Sequence, residues 1–79
     1  MGKEREIFFV NCGKGQKDGK NYYYIDYVNM SNYRTKRDFI DALSYDRISK
    51  KVGEKHLFKC KAILDVNDYD QVFVADIKE

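Results

Sequence analysis

The segment from Asn21 to Met30, reading NYYYIDYVNM, holds four tyrosines, one isoleucine and one valine in ten residues. β-Branched and aromatic side chains fit a pleated, half-buried surface and lose rotamer freedom in a helix, so this segment commits the chain to a β-rich fold. With 79 residues in all, there is room for one domain, 1–79, and only a thin core, because a chain of this size buries about 60% of the surface its unfolded form exposes. A deep, enclosed active site does not fit such a chain.

Four further segments read as strands. Glu6–Cys12 is apolar on both alternating faces, as a strand inside a closed barrel or a covered sheet would be. Gly13–Lys20 places three glycines and three lysines in eight residues, the composition of a flexible basic loop joining the first two strands into a long hairpin. Tyr33–Ile40 alternates Tyr33, Thr35, Arg37 and Phe39 with Arg34, Lys36, Asp38 and Ile40, a strand with a wet face. His56, Phe58, Cys60, Ala62 and Leu64 share one face of a fourth strand, with Lys59 and Lys61 opposite. After a turn at Asn67–Asp70, Gln71–Ile77 forms a fifth strand with Phe73, Ala75 and Ile77 on one face.

One helix stands between the third and fourth strands. Ser44 is placed to cap it, Tyr45, Ile48 and Val52 form its apolar stripe, and Lys50 and Lys51 suit its last turn. Gly53 ends it. At about two turns it is a plug for the core. Five strands with a single helix after the third is the order of an OB-like Greek-key barrel, a fold that binds oligonucleotides. An RRM needs a second helix and a helix-turn-helix needs at least two. An unclosed five-stranded α+β sheet and an SH3-like barrel share parts of the pattern.

Net charge is only +2, but its distribution is uneven: residues 1–61 carry +6 and residues 62–79 carry −4. A basic face and an acidic edge point to a polyanionic partner. No apolar run approaches the roughly 18 residues a membrane-spanning helix needs, and no apolar stretch follows the charged start, so a soluble protein without a signal peptide is expected. Cys12 and Cys60 lie 47 residues from one another with no CxxC, a usage that fits the reducing cytoplasm.

A single strand of nucleic acid is held by cations along its phosphates and by aromatic faces under its bases. Lys14, Lys17 and Lys20 on the glycine-rich segment and Arg34, Lys36 and Arg37 on the third strand supply the cations. Tyr22, Tyr24 and Tyr33 supply stacking platforms if Tyr23, Ile25 and Tyr27 face the core. The opposite register is also open, because Val28 and Met30 share the face of Tyr22.

Other chemistries fail on spacing. Gly19-Lys20 lacks the upstream glycine and the Ser/Thr of a phosphate-binding Walker loop, and a strand follows it where a helix is required. Asp65, Asn67, Asp68 and Asp70 do not meet the ligand and glycine positions of a calcium loop. His56 with Cys12 and Cys60 has the wrong spacing for a zinc module. No nucleophile–base pair or carboxylate pair stands out, so neither catalysis, cofactor nor metal is expected.

The chain resembles the small single-stranded DNA-binding proteins of filamentous phages and related mobile elements. The residues that carry this are Gly19-Lys20-Asn21-Tyr22 opening the second strand, the Tyr33–Arg37 stretch, and the closing strand Val72–Lys78, together spanning about the last three-quarters of the chain. The resemblance implies an OB-like barrel, single-stranded DNA or RNA as ligand, a role in DNA replication, and homodimers that coat the strand. The acidic segment 65–70 departs from it. The rival expectation is a protein-interaction or assembly module of a phage or mobile element, using edge strands or that acidic hairpin.

Overall fold

The computed structural model describes residues 3–78; Met1, Gly2 and Glu79 of the expected 1–79 domain lie outside the described residues. Strands β1 (Lys3–Lys17) and β2 (Lys20–Asn29) are joined by Asp18 and Gly19 alone. Both have positive φ, 53° and 77°, the combination of a type I′ turn, whose twist matches that of the strands it connects. Pairing begins at Lys17↔Lys20 and passes through Gly15↔Tyr22 and Gly13↔Tyr24. The flexible loop expected over 13–20 is thus paired strand almost to its tip, because Asp-Gly turns the chain in two residues. A bulge between Phe9 and Asn11 bends β1 midway.

β3 (Arg34–Ile40), α1 (Ala42–Val52), β4 (Phe58–Val66) and β5 (Val72–Lys78) complete the chain. The five strands form one antiparallel sheet in the order β3-β2-β1-β4-β5. The sheet is not closed. Cα atoms of β3 and β5 come within 8 Å without pairing, so the closed barrel expected from element order is replaced here by two facing edges. Part of the β5 edge is taken by the helix: Lys51 Nζ donates to the Ile77 carbonyl at 3.0 Å and to Asp76 Oδ2 at 2.9 Å, groups a neighbouring strand would otherwise meet.

The helix is capped by Asp41, not by Ser44. Asp41 has extended backbone (φ −82°, ψ 169°) and its carboxylate accepts the Ser44 N–H at 3.0 Å, satisfying one of the first unpaired helix donors. Ser44, three residues further in, is fully buried. With 11 residues α1 has three turns, and it ends where Gly53 (φ 57°) donates its N–H to the Ser49 carbonyl at 2.9 Å.

Ile7 and Phe9 of β1, Ile25 and Tyr27 of β2, Ile48 of α1 and Ile77 of β5 meet in the core, each at most 1% exposed. Each such side chain contributes about 1.5–3 kcal/mol of transfer free energy. Tyr23 packs against the same cluster, its ring centroid 5.1 Å from that of Tyr45. Of the two registers open to β2, the chain adopts the one with Tyr23, Ile25 and Tyr27 inward.

Three further expectations shift. Tyr33 lies in the β2–β3 turn at φ 56°, and β3 starts at Arg34. His56 is exposed ahead of β4, separated from it by Leu57 at φ 61°. In β5 a register change opposite Ile63/Leu64 leaves Ala75 unpaired and turns Val74 inward beside Ile77, while Phe73 is only half-buried. A bulge of this kind breaks the period-two alternation on which a single face through Phe73, Ala75 and Ile77 depends. Among the described residues no helix is long and apolar enough to cross a membrane.

Candidate nucleic-acid interface

Alternation puts Lys20, Tyr22, Tyr24 and Asp26 on the face of β2 that points away from the core. Their cross-strand neighbours are Lys17, Gly15, Gly13 and Asn11 on β1, and Phe39 and Arg37 on β3 opposite Tyr24 and Asp26. The bare glycine backbone of β1 allows the tyrosine rings to lie flat across it. A Cβ built on Gly13 would stand 2.6 Å from Tyr24 Cζ, and one on Gly15 would stand 2.6 Å from Tyr22 Cζ. The glycines are therefore seats for the rings, a pairing that stabilises strand glycines.

Arg37 closes the arrangement from the other side. Its guanidinium carbon stands 4.0 Å from the centroid of Tyr24, and its Nε and Nη2 donate to the two carboxylate oxygens of Asp26 at 2.7 and 3.0 Å. The fork of two parallel hydrogen bonds holds the guanidinium plane in place. Those bonds push the Arg37 pKa up further from its already high value, so the group stays cationic. Tyr22 meets Tyr24 at 6.3 Å and Phe39 edge-on at 6.0 Å between centroids. Phe39 is 64% exposed. Lys17, Lys20, Asn21, Tyr22, Arg37 and Phe39 line one open cleft.

The nine residues expected to bind nucleic acid divide. Lys17, Lys20, Tyr22, Tyr24 and Arg37 share the outer face. Lys14 faces the other way, opposite Tyr23, beside a separate cleft with Gly15, Gln16, Asn21 and Tyr23. Arg34 and Lys36 stand opposite Asn29 and Tyr27 on that same reverse side. Lys36 pairs there with Asp38 at 3.6 Å, and Asp38 also accepts the Tyr27 hydroxyl at 2.9 Å. Burial, and after it the Asp38 hydrogen bond, push the Tyr27 phenol up from its usual value. Tyr33 projects from the β2–β3 turn, 76% exposed. Phe39 belongs with the outer group and was not among the expected residues. The signal for it was available, since alternation puts it on the face of Arg37.

This face offers a planar cation, two ring systems reachable from solvent and two lysines at one end. Among the described residues no three His, Cys, Asp or Glu side chains gather as metal ligands. Neither cysteine forms a disulfide, and burial pushes the Cys12 thiol up from its usual value. Compared with known proteins, the chain matches no family model, no curated protein and no solved structure.

Proposed function

We propose that this chain binds single-stranded nucleic acid, DNA in the first instance, on the outer face of β1, β2 and β3. The sheet then acts as a partly open OB-like barrel, with β3 and β5 as the lips of its opening. One observation carries the reading: Tyr22, Tyr24, Phe39 and Arg37 form a contiguous aromatic and cationic surface bordered by Lys17 and Lys20. Bases stack on Phe39, Tyr22 and the Arg37 plane, while Tyr24 supports Arg37 from below. Phosphates run towards the lysines at the hairpin end. Such contacts tolerate any base, because every base has a π-face. The cytoplasmic phage or mobile-element setting and the homodimer are proposed with it on the resemblance described above.

Fluorescence anisotropy of labelled oligo-dT at two salt concentrations tests the proposal. Binding should weaken with salt with a log–log slope of about −0.7 for each phosphate contacted, and tyrosine emission should be quenched as bases stack. Binding that ignores salt and leaves tyrosine emission unchanged would remove the proposal.

A second reading has its own observation. Tyr69 at the β4–β5 tip is 83% exposed, flanked by the exposed Val66 and Val72 and by Asp65, Asp68 and Asp70. Such a tip repels phosphate and suits a basic protein partner. Tyr69 does not line the clefts that hold Arg37 and Phe39, so Tyr69→Ala should leave oligonucleotide binding intact.

A further inference from the structure

The gap between the edges of β3 and β5 forms a cleft whose walls include Arg37 and Phe39 on one side and Asn67, Gln71, Val72 and Phe73 on the other. It opens directly beside the outer aromatic face, with which it shares Arg37 and Phe39. We propose that this cleft is a base-reading subsite in which the Gln71 side-chain amide donates a hydrogen bond to a base carbonyl. This inference rests on the nucleic-acid reading above.

The hydrogen-bond network assigns the direction of that amide. Asn67 Oδ1 accepts the backbone N–H groups of Tyr69 at 2.8 Å and Gln71 at 3.0 Å. A group accepting two N–H donors must be the oxygen, so the Asn67 NH2 is the end that reaches Gln71. It donates to Gln71 Oε1 at 3.1 Å. One lone pair of the Gln71 oxygen is thereby engaged, and its NH2 group is the freer end. Backbone bonds between Asn67 and Gln71 (3.0 Å) and between Asp70 and Asn67 (3.1 Å) make the turn rigid, so the donor is held in position before any ligand arrives.

The charges in and around the cleft select a base over a phosphate. Asp38 lines it with its carboxylate already held by Tyr27 and Lys36, and Asp68 and Asp70 stand on the turn above. With the Arg37 charge on the cleft wall already paired to Asp26, these carboxylates disfavour an anion, whereas a neutral base can lie against Phe39, 64% exposed, and Val72, 55% exposed. A glutamine with both ends available reads adenine through paired bonds. In Gln71 the Asn67 bond takes one of the oxygen's two lone pairs and fixes the amide plane, so the end presented most freely is the NH2 group, a match for the exocyclic carbonyl of thymine.

The test compares oligo-dT with oligo-dA of about 12 nucleotides, within the span of a single OB-type site, on the parent chain and on Gln71→Ala and Gln71→Glu. The parent should prefer oligo-dT. Both variants should cut the dT-to-dA affinity ratio by at least about fivefold. Gln71→Glu keeps the acceptor for Asn67 and removes the donor, so a turn that loosens in Gln71→Ala does not confuse the outcome. A parent without preference, or a ratio unchanged in Gln71→Glu, overturns the subsite while the stacking face stands. A parent that binds neither oligonucleotide removes both.

Discussion

Tyr24 lies across Gly13 of the neighbouring strand with the Arg37 guanidinium 4.0 Å from its ring centroid. Three strands are locked by this contact: β1 contributes a bare backbone, β2 the ring and β3 the cation. The glycine is needed for the space above it and not for its torsions, because its φ is not positive.

Gly13→Ala should therefore leave stability within about 1 kcal/mol of the parent. The alanine lowers the entropy of the unfolded chain, and the end of the Tyr24 side chain can swing aside. The displaced ring no longer supports Arg37, so oligonucleotide affinity and the tyrosine near-ultraviolet dichroism should both fall. An unchanged dichroism spectrum would mean that the ring does not rest on Gly13.

Arg37 and Lys36 are neighbours in sequence and point to opposite sides of the sheet. Arg37→Gln should weaken oligonucleotide binding by removing a stacking plane, with the salt slope little changed, because the guanidinium is already paired with Asp26 and the phosphates are met by the lysines. Lys36→Gln should leave affinity and slope near those of the parent. Equal losses in the two variants, read by anisotropy across a salt series, would show that overall charge and not the outer face governs binding.

The Tyr27 hydroxyl donates to Asp38, whose side chain is only 10% exposed. Tyr27→Phe should cost roughly 1–3 kcal/mol in urea unfolding, since it leaves a nearly buried carboxylate short of a donor. The phenol has a raised pKa in the folded chain, so the folded state favours its neutral form. That contribution is complete below the ordinary value of 10.0 and is lost as pH rises above it. In an ultraviolet titration the Tyr27 phenol should ionise above its ordinary value of 10.0; ionisation at that value would contradict the burial.

Asp41 caps α1, and the nearby buried Ser44 hydroxyl, with the Ser44 N–H it accepts, holds its carboxyl below the usual 3.8. A depressed carboxyl stabilises the fold above its unfolded pKa and loses that contribution as pH falls through the folded one. Asp41→Ala should cost about 1 kcal/mol at pH 7, measured by thermal unfolding. The difference between variant and parent should shrink below pH 3.8. A pH-independent difference would place the effect elsewhere than in the carboxylate.

Much of this molecule is local and legible in the order of its residues. The β-branched and aromatic segments become strands because their side chains disfavour helix. Ile48 and Val52 share a stripe because a helix repeats every 3.6 residues. Tyr23, Ile25 and Tyr27 share a face, and Arg37 shares one with Phe39, because a strand repeats every two. The helix cap shows the limit of such reading: Asp41 and Ser44 are both good caps in isolation, and burial of Ser44 decided between them.

What alternation leaves open is which face is covered, and which strand lies alongside which. Those depend on contacts between residues far apart in the chain. Only the tertiary structure put Tyr24 on Gly13 and Tyr22 on Gly15, turning a glycine-rich stretch that reads as a loop into a paired ribbon. It also separated Lys14, Arg34 and Lys36 from the cations beside the rings, and left β3 and β5 facing one another across a cleft. The physical reason is that local sterics act within a few bonds, whereas the choice of neighbour is made by burial and hydrogen bonding summed over the whole sheet.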